Sequence, residues 1–431
     1  MAALKDPRSR MSDPIAARKG DHHLCLQHVG EDILPACATT ILVGGEPAAR
    51  VTDLLECTGA PPDVIGIGEP TVLLEGKMAA RFGDGTLHGG LIDEGCPTVI
   101  IGKMTAPDKR MRLMERLRLI DQARQRAADM PPGPQRDALS NAAERLAQNN
   151  RAVEDGRLVS DVYNTSGAPE GWTRLGPNDL PPELRNATFQ DPSTGFYSDL
   201  YRSDIDGSYR LIMRGTEFET WKQWDGNDWL WGNVSQGAGF EGQQYTQAVE
   251  LSRQVGAVYG NNVSLAGHSL GGGLASAGAL ASGLPANTFN AAGLHENTFE
   301  RYGLDPSQAN GLVDAYQVDG DILTWAQQDS PVAGLMPDAV GTTHGLNAVN
   351  QNPDGSFTAR TWPAEPTFEH PESGWGYLNP FGMARRTKDW AAAELDQEKQ
   401  RFAEMIERHS THVAGIEQQK SQDLATIQGM L

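Results

Sequence analysis

The sequence predicts a multidomain chain of three parts: a small β-rich unit, a helical connector, and an α/β domain with a mostly parallel sheet. Three observations predict it. A motif ending in Ala-Ala-Arg recurs at "PIAARKGD" (14–21), "EPAARVTD" (46–53) and "KMAARFGD" (77–84). Two Ala/Arg/Glu/Leu-rich stretches with apolar residues three and four apart follow it. Beyond residue 156, β-branched runs alternate with helical ones, and one junction reads "GHSLGGG" (267–273). At 431 residues the chain has room for two or three folding units. Its net charge of −20 argues against nucleic acid or an anionic surface as the main partner. The opening "MAALKDPRSRMSDP" lacks the apolar stretch of a signal peptide, so none is expected. The weakly hydrophobic run 265–284 reads as a buried turn and helix, not a membrane span.

The first part is assigned to residues 14–103. "TILVGGEPAAR" matches "TVLLEGKMAAR", and a third copy starts and stops at "TVIIGK" (98–103). Each copy reads as a strand, a tight glycine turn and a second strand, and the period near thirty implies stacked hairpins. With Phe82 as its one aromatic residue, this segment has little material for a large apolar core, so a metal clamp makes physical sense. All four cysteines (Cys25, Cys37, Cys57 and Cys96) lie here beside His22, His23, His28 and His88. That mixture points to metal ligands more than to disulfides. Strand alternation turns His22 toward solvent if His23 faces inward. Cys25, Cys37 and Cys96 read as small buried residues, with Cys25 able to replace one of the histidines.

The connector is assigned to residues 104–155: two amphipathic helices broken by "PPGP", either a solvated spacer or a docking surface. The α/β domain takes 156–431, with strands at "YRLIMRG", "NVSLAG", "ANTFNAAG" and "LVDAYQV" and a largely helical tail. "GHSLG" fits Gly-x-Ser-x-Gly between a β-branched strand and a small-residue helix, the setting in which a sharp elbow exposes a nucleophilic serine, here Ser269. A base and an orienting acid should follow it in the chain. Asp321 lies just past "LVDAYQV", with Asp319 the alternative and Asp314 mid-strand. His344, His370, His409 and His412 are all available, and spacing does not separate them; His268 and His295 read as structural. Trp221, Trp224, Trp229 and Trp231 form either an interfacial lid or a satellite core.

"PAAR" stands literally at 47–50, and residues 14–103 resemble the PAAR-repeat proteins that cap the type VI secretion spike. The resemblance implies a small β-rich cone, seated on the trimeric spike protein VgrG, with a structural zinc near its point. Matched position by position, it implies His23, His28, Cys57 and His88 as the ligands. "RVTD" (50–53) departs from the family's Arg-x-Gly-Asp turn. Residues 195–330 resemble the class-3, fungal-lipase-like α/β-hydrolases. That implies Asp321 as acid and an oxyanion hole from Thr216 and the Leu270 amide. "RHSTHVAGIEQQK" (408–420) is similar to the segment carrying the histidine in bacterial members and falls on His409, with His370 second and His344 third. Together the resemblances imply an antibacterial type VI effector: a serine lipase or phospholipase (EC 3.1.1) that hydrolyses membrane lipid esters without a catalytic cofactor. They also imply a cognate immunity protein, no nucleic-acid partner, and a protein made in the cytoplasm that acts in the target cell's periplasm or membrane. The alternative is a structural spike tip whose hydrolase domain is inactive or acts on something other than lipid.

Overall fold

The computed structural model describes residues 14–102, 107–163, 167–215, 229–328, 337–362 and most of 396–431; the side chains of 107–108, 229–241 and 326 lie outside that description. No helix among the described residues is long and apolar enough to cross a membrane.

The Ala-Ala-Arg repeats close into a three-fold cone. Two hairpins pair within themselves: Leu42–Val43 with Glu46–Pro47, and Glu69–Leu74 with Lys77–Ala79. The truncated third copy, Cys96–Ile100, is completed by the first segment of the cone, Ile15–Ala16. On the axis the second alanines of the motifs form a ring of backbone bonds: Ala17 N–H to Ala80 O, Ala80 N–H to Ala49 O, and Ala49 N–H to Ala17 O, at 2.9–3.0 Å. All three are buried, and a larger side chain there would meet its two copies. Each arginine then folds back on the aspartate three residues later: Arg18–Asp21 at 3.3 Å, Arg50–Asp53 at 3.1 Å and Arg81–Asp84 at 3.0 Å. Arg50 and Arg81 also reach Glu75 and Glu69, both at 2.6 Å. These buried and half-buried polar ties do the cross-linking that a larger apolar core would do elsewhere. At equivalent positions of the three copies Leu42, Leu73 and Ile100 stay 62%, 61% and 60% exposed, against the usual burial of such side chains.

Two helices follow: α1 (Pro107–Asp129) and α2 (Pro134–Asp161). The α/β domain is built on an eight-stranded sheet. Its strands are β1 (Trp172–Arg174), β2 (Gln190–Asp191), β3 (Phe196–Ser203), β4 (Tyr209–Met213), β5 (Val263–His268), β6 (Ala286–Phe289), β7 (Val313–Val318) and β8 (Thr342–Leu346). The order is β1-β3-β4-β5-β6-β7-β8, with β2 also on β3. Pairing is antiparallel up to β4 and parallel from β4 to β8. Helices α3 (Trp229–Tyr259) and α4 (Leu270–Ser282) cover one face, where Leu211, Leu265, Leu274 and Val255 are fully buried. The other face is covered by α2 and by α6 (His412–Met430), through Val153, Val159, Ile416, Phe289 and Tyr316. A seven-residue helix, α5 (Ile322–Gln328), follows β7.

The connector is therefore no solvated spacer. α2 runs unbroken past residue 155 and forms a layer of the α/β sandwich. α1 and the first half of α2 share a core with the cone: Leu24, Leu26, Phe82 and Leu91 pack with Met114, Leu117, Ile120, Leu139 and Leu146. Arg110, 1% exposed, locks the three parts together. Its guanidinium donates to the carbonyls of Gly83 in the cone and Asp204 in the turn after β3, and lies 3.7 Å from Asp84. The cone comes so close to that turn that a Cβ on Gly85 would run into Asp206.

Candidate active site and metal cluster

Ser269 sits between β5 and α4 at φ 57°, ψ −127°, a strained backbone for a residue with a Cβ. Glycines make that turn sterically possible. A Cβ on Gly267 would strike the carbonyl of Gly271, and one on Gly271 would strike the carbonyl of Met213 at the end of β4. The Ser269 carbonyl takes the amides of Gly272 at 3.0 Å and Ala292 at 2.9 Å. Leu270 opens α4, so its amide is among those a helix leaves without an intrahelical carbonyl. Beside it ends β4, where the Gly215 amide donates to the hydroxyl of Tyr163, a residue just past α2. Thr216, expected to complete the oxyanion hole, lies outside the described residues, as do His370, Trp221 and Trp224 and the side chains of Trp229 and Trp231.

Asp321 is fully buried just beyond β7. Its Oδ1 accepts the amides of Leu323 at 3.0 Å and Thr324 at 2.8 Å, which fixes the carboxylate and aims Oδ2 at Nδ1 of His409, its hydrogen-bond partner 88 residues on. His409 is brought to the elbow by its backbone. Its carbonyl accepts from His268 Nε2 at 2.9 Å and from Asn290 Nδ2 at 3.0 Å, and its ring lies 4.1 Å from that of His268, the residue before Ser269. Burial, with His409 and His412 adjacent, holds His268 well below the usual histidine range, so it is a neutral donor. His344 goes elsewhere: it pairs with Asp314 across β7 and β8 at 2.9 Å. Asp319 carries a largely exposed carboxylate.

At the cone's point the expected ligands fall into two overlapping groups, His28 and His88 in one and His23 in the other, joined by Cys57 and by two residues outside the expected set, Cys25 and Asp63. Cys25, His28, Cys57 and His88 have donor atoms within 4.8 Å of one another, as do His23, Cys25, Cys57 and Asp63. Cys25 Sγ lies 3.8 Å from Nδ1 of both His28 and His88; Cys57 Sγ lies 3.7 Å from His23 Nε2 and His88 Nδ1. Such separations are close to the edge of a tetrahedron with metal bonds of ~2.0–2.3 Å. Asp63 Oδ2 is buried with no hydrogen-bond partner among the described residues, 3.7 Å from His23 Nε2 and 3.8 Å from His88 Nδ1. Nδ1 of His23 bonds the carbonyl of Glu31 at 2.7 Å, which turns Nε2 into the cluster. Burial lowers His23 and His28 and raises the thiols of Cys25 and Cys57, so without a cation these groups are neutral, and a metal would draw the thiolates. The donor set fits a thiolate- and imidazole-seeking ion. Cys25, read from the sequence as a small buried residue able to replace one of the histidines, is part of this cluster, while Cys37 and Cys96 stay apart from it. His22 does not simply face solvent: it pairs with Asp93 at 2.6 Å.

Residues 154–362 match the Tle-like phospholipase domain family, and residues 27–93 match the PAAR motif. An extracellular phospholipase A1 of Serratia liquefaciens is 37% identical over 202 residues, covering 45% of this chain and 59% of that protein's length.

Proposed function

We propose, for a chain that joins a PAAR motif to a Tle-like phospholipase domain, a spike-borne effector that cleaves carboxylic esters of membrane phospholipids. The observation that carries this reading is the Asp321–His409 pair held against a strained serine elbow. Ser269 Oγ attacks the ester carbonyl while Nε2 of His409 takes its proton. Asp321, on Nδ1, fixes the tautomer and steadies the imidazolium. The Leu270 amide, with Thr216, binds the oxyanion. Collapse expels the lyso-lipid alkoxide, which takes the proton back from His409, and water, deprotonated by the same base, then releases the fatty acid and regenerates Ser269. The name of the Serratia relative supports phospholipid as the substrate class.

For the cone, the exposed Leu42, Leu73 and Ile100 offer a three-fold apolar surface suited to the end of the trimeric VgrG spike. A zinc in the cluster would tie the loops of the point together structurally. Its sulfur and nitrogen donors come from Cys57, His28 and His88 with Cys25, whose atoms gather in one group, or with His23 as the family resemblance implies. Delivery into the periplasm or membrane of a rival cell, with an immunity protein protecting the producer, completes the reading.

The test is fatty-acid release from phospholipid vesicles and from triglyceride emulsion by the protein and its Ser269→Ala variant. Release by the wild type alone is expected. Equal release by both sinks the serine mechanism, and release by neither favours a structural tip.

A further inference from the structure

A cavity of about 520 Å³ opens where α1, α2 and α6 meet the hairpin Val349–Gln351/Phe357–Ala359. In a chain of net charge −20, five cationic side chains line it: Lys109, Arg112 and Arg116 from α1, Arg157 from α2 and Lys420 from α6. Three carboxylates are present, and two of them are already shared. Glu154 takes Lys109 at 2.6 Å and Arg157 at 3.0 Å; Glu417 takes Arg157 at 2.8 Å and Lys420 at 3.1 Å. Arg112 and Arg116 have no carboxylate within ion-pair distance among the described residues. Arg116 spends one donor on Asn150 Oδ1, at 3.1 Å, out of the five a guanidinium carries. The other arginines of α1 that dock it have clear work in the cone: Arg110 on Gly83, Arg118 on Asp93, Arg124 on the carbonyls of Leu26 and His28. Arg112 and Arg116 do none of this.

Like charges crowd here. Burial lowers the pKa of both Arg116 and Lys420; Glu417 and Glu154 oppose this on Arg116 and Glu417 opposes it on Lys420, while Arg112 and Arg157 add to it on Arg116, and Arg116 and Arg157 on Lys420. Gathering like charges beside a cavity costs energy that a bound anion would recover. Planar guanidinium forks match phosphate oxygens in pairs, and Phe357 and Leu424 supply an apolar wall for the rest of a ligand.

We propose that this cavity is a binding site for a small phosphate-bearing molecule, distinct from the ester-cleaving centre. It joins the connector to α6, the helix that follows His409, so its ligand would bridge the two parts of the chain. The site does not depend on the serine mechanism.

The full-length Ser269→Ala protein, which avoids turnover, is titrated by calorimetry with inorganic pyrophosphate and with glycerol 3-phosphate. The same protein is floated with phosphatidylcholine vesicles with and without phosphatidylglycerol. Pyrophosphate is expected to bind, and Arg112→Gln with Arg116→Gln to weaken it at least tenfold. Arg112 is exposed, so Arg112→Gln alone keeps the fold and should still weaken binding. Glycerol 3-phosphate and phosphatidylglycerol binding that falls in the same variants assigns the ligand to a lipid headgroup; binding of pyrophosphate without either assigns it to a free phosphate compound. Absence of binding in every arm, or binding unchanged by the arginine variants, overturns the proposal.

Discussion

In the cone, each functional loop hangs from a short-range tie that the next repeat copies: an arginine, an aspartate three residues on, and an alanine on the axis. In the α/β domain no such copy exists. Ser269, Asp321 and His409 come from three distant segments, and each is fixed by a different device: a strained turn, a pair of helix-opening amides, and two donors on a carbonyl. The cone has several buried ion pairs and small apolar clusters; the domain has two continuous apolar layers. The contrast teaches where each part is vulnerable. Losing one tie in the cone leaves two copies in place, whereas losing one device in the domain leaves the three groups of the proposed triad present but misaimed.

The largest effect tests that asymmetry directly. His409→Ala should lower kcat ~10⁶-fold on phospholipid vesicles, as loss of the base does in serine hydrolases, and Asp321→Asn should cost ~10⁴-fold. His344→Ala should leave kcat within a few-fold, since its partner is Asp314. If His344→Ala abolishes release while His409→Ala does not, the triad is wrong.

That experiment also marks how far the sequence could be read. The repeats were legible because Ala-Ala-Arg recurs at each of the three segments of this chain that meet on one axis. The elbow was legible because its strand, serine and glycines are contiguous. His409 is not separable from its rivals by spacing, since its contact with Asp321 spans 88 residues; resemblance to a family points to it. Cys25 carries a signal of its own: the alternation that sends His22 away from His23 puts Cys25 on His23's side. Asp63 had none, being a lone acid after two prolines. The role of α2 was hidden because a helix that ends one unit and begins the next has one unbroken amphipathic pattern.

Arg110 is the joint between the two regions, and its removal has the next largest effect. Arg110→Ala strands the carbonyls of Gly83 and Asp204 and takes a cation from beside Asp84, whose carboxyl burial already pushes up to about 6. Loss of about 3–5 kcal/mol in denaturant unfolding is expected, with the cone and domain transitions separating. A single unchanged transition would mean that the shared apolar core, not this arginine, makes the joint.

A smaller change should act in the opposite sense. Asp121 on α1 is 6% exposed, and its Oδ1 has no hydrogen-bond partner among the described residues. Burial raises its carboxyl to about 7 from 3.8; Arg124 and His22 oppose this and Asp93 adds to it. A folded value above the unfolded one means the fold prefers the protonated acid. The penalty is absent below pH 3.8, grows as pH rises, and is complete above pH 7. Asp121→Asn should therefore stabilise by about 1–2 kcal/mol at pH 8, with the gain shrinking toward pH 4. A gain independent of pH would point to packing instead.

The smallest effect asks how equivalent the cone's three repeats are. Gly20 and Gly83 sit before their turn aspartates at φ 81° and 84°, where glycine bears no Cβ penalty, whereas Thr52 takes φ 76° in "RVTD". The turn is thus kept, despite the departure at "RVTD", at the cost of a strained threonine, partly offset by Lys77 Nζ, which donates to its hydroxyl. Relief of a left-handed residue is worth ~1–2 kcal/mol, reduced by the extra freedom of glycine in the unfolded chain. Thr52→Gly should then raise stability by about 0.5–1 kcal/mol, read as a higher melting temperature of the cone, and Lys77→Met should lose little beyond the exposed bond. A fall in stability on Thr52→Gly would mean that the lysine tie outweighs the strain, and that this repeat is built on a side-chain contact the other two lack.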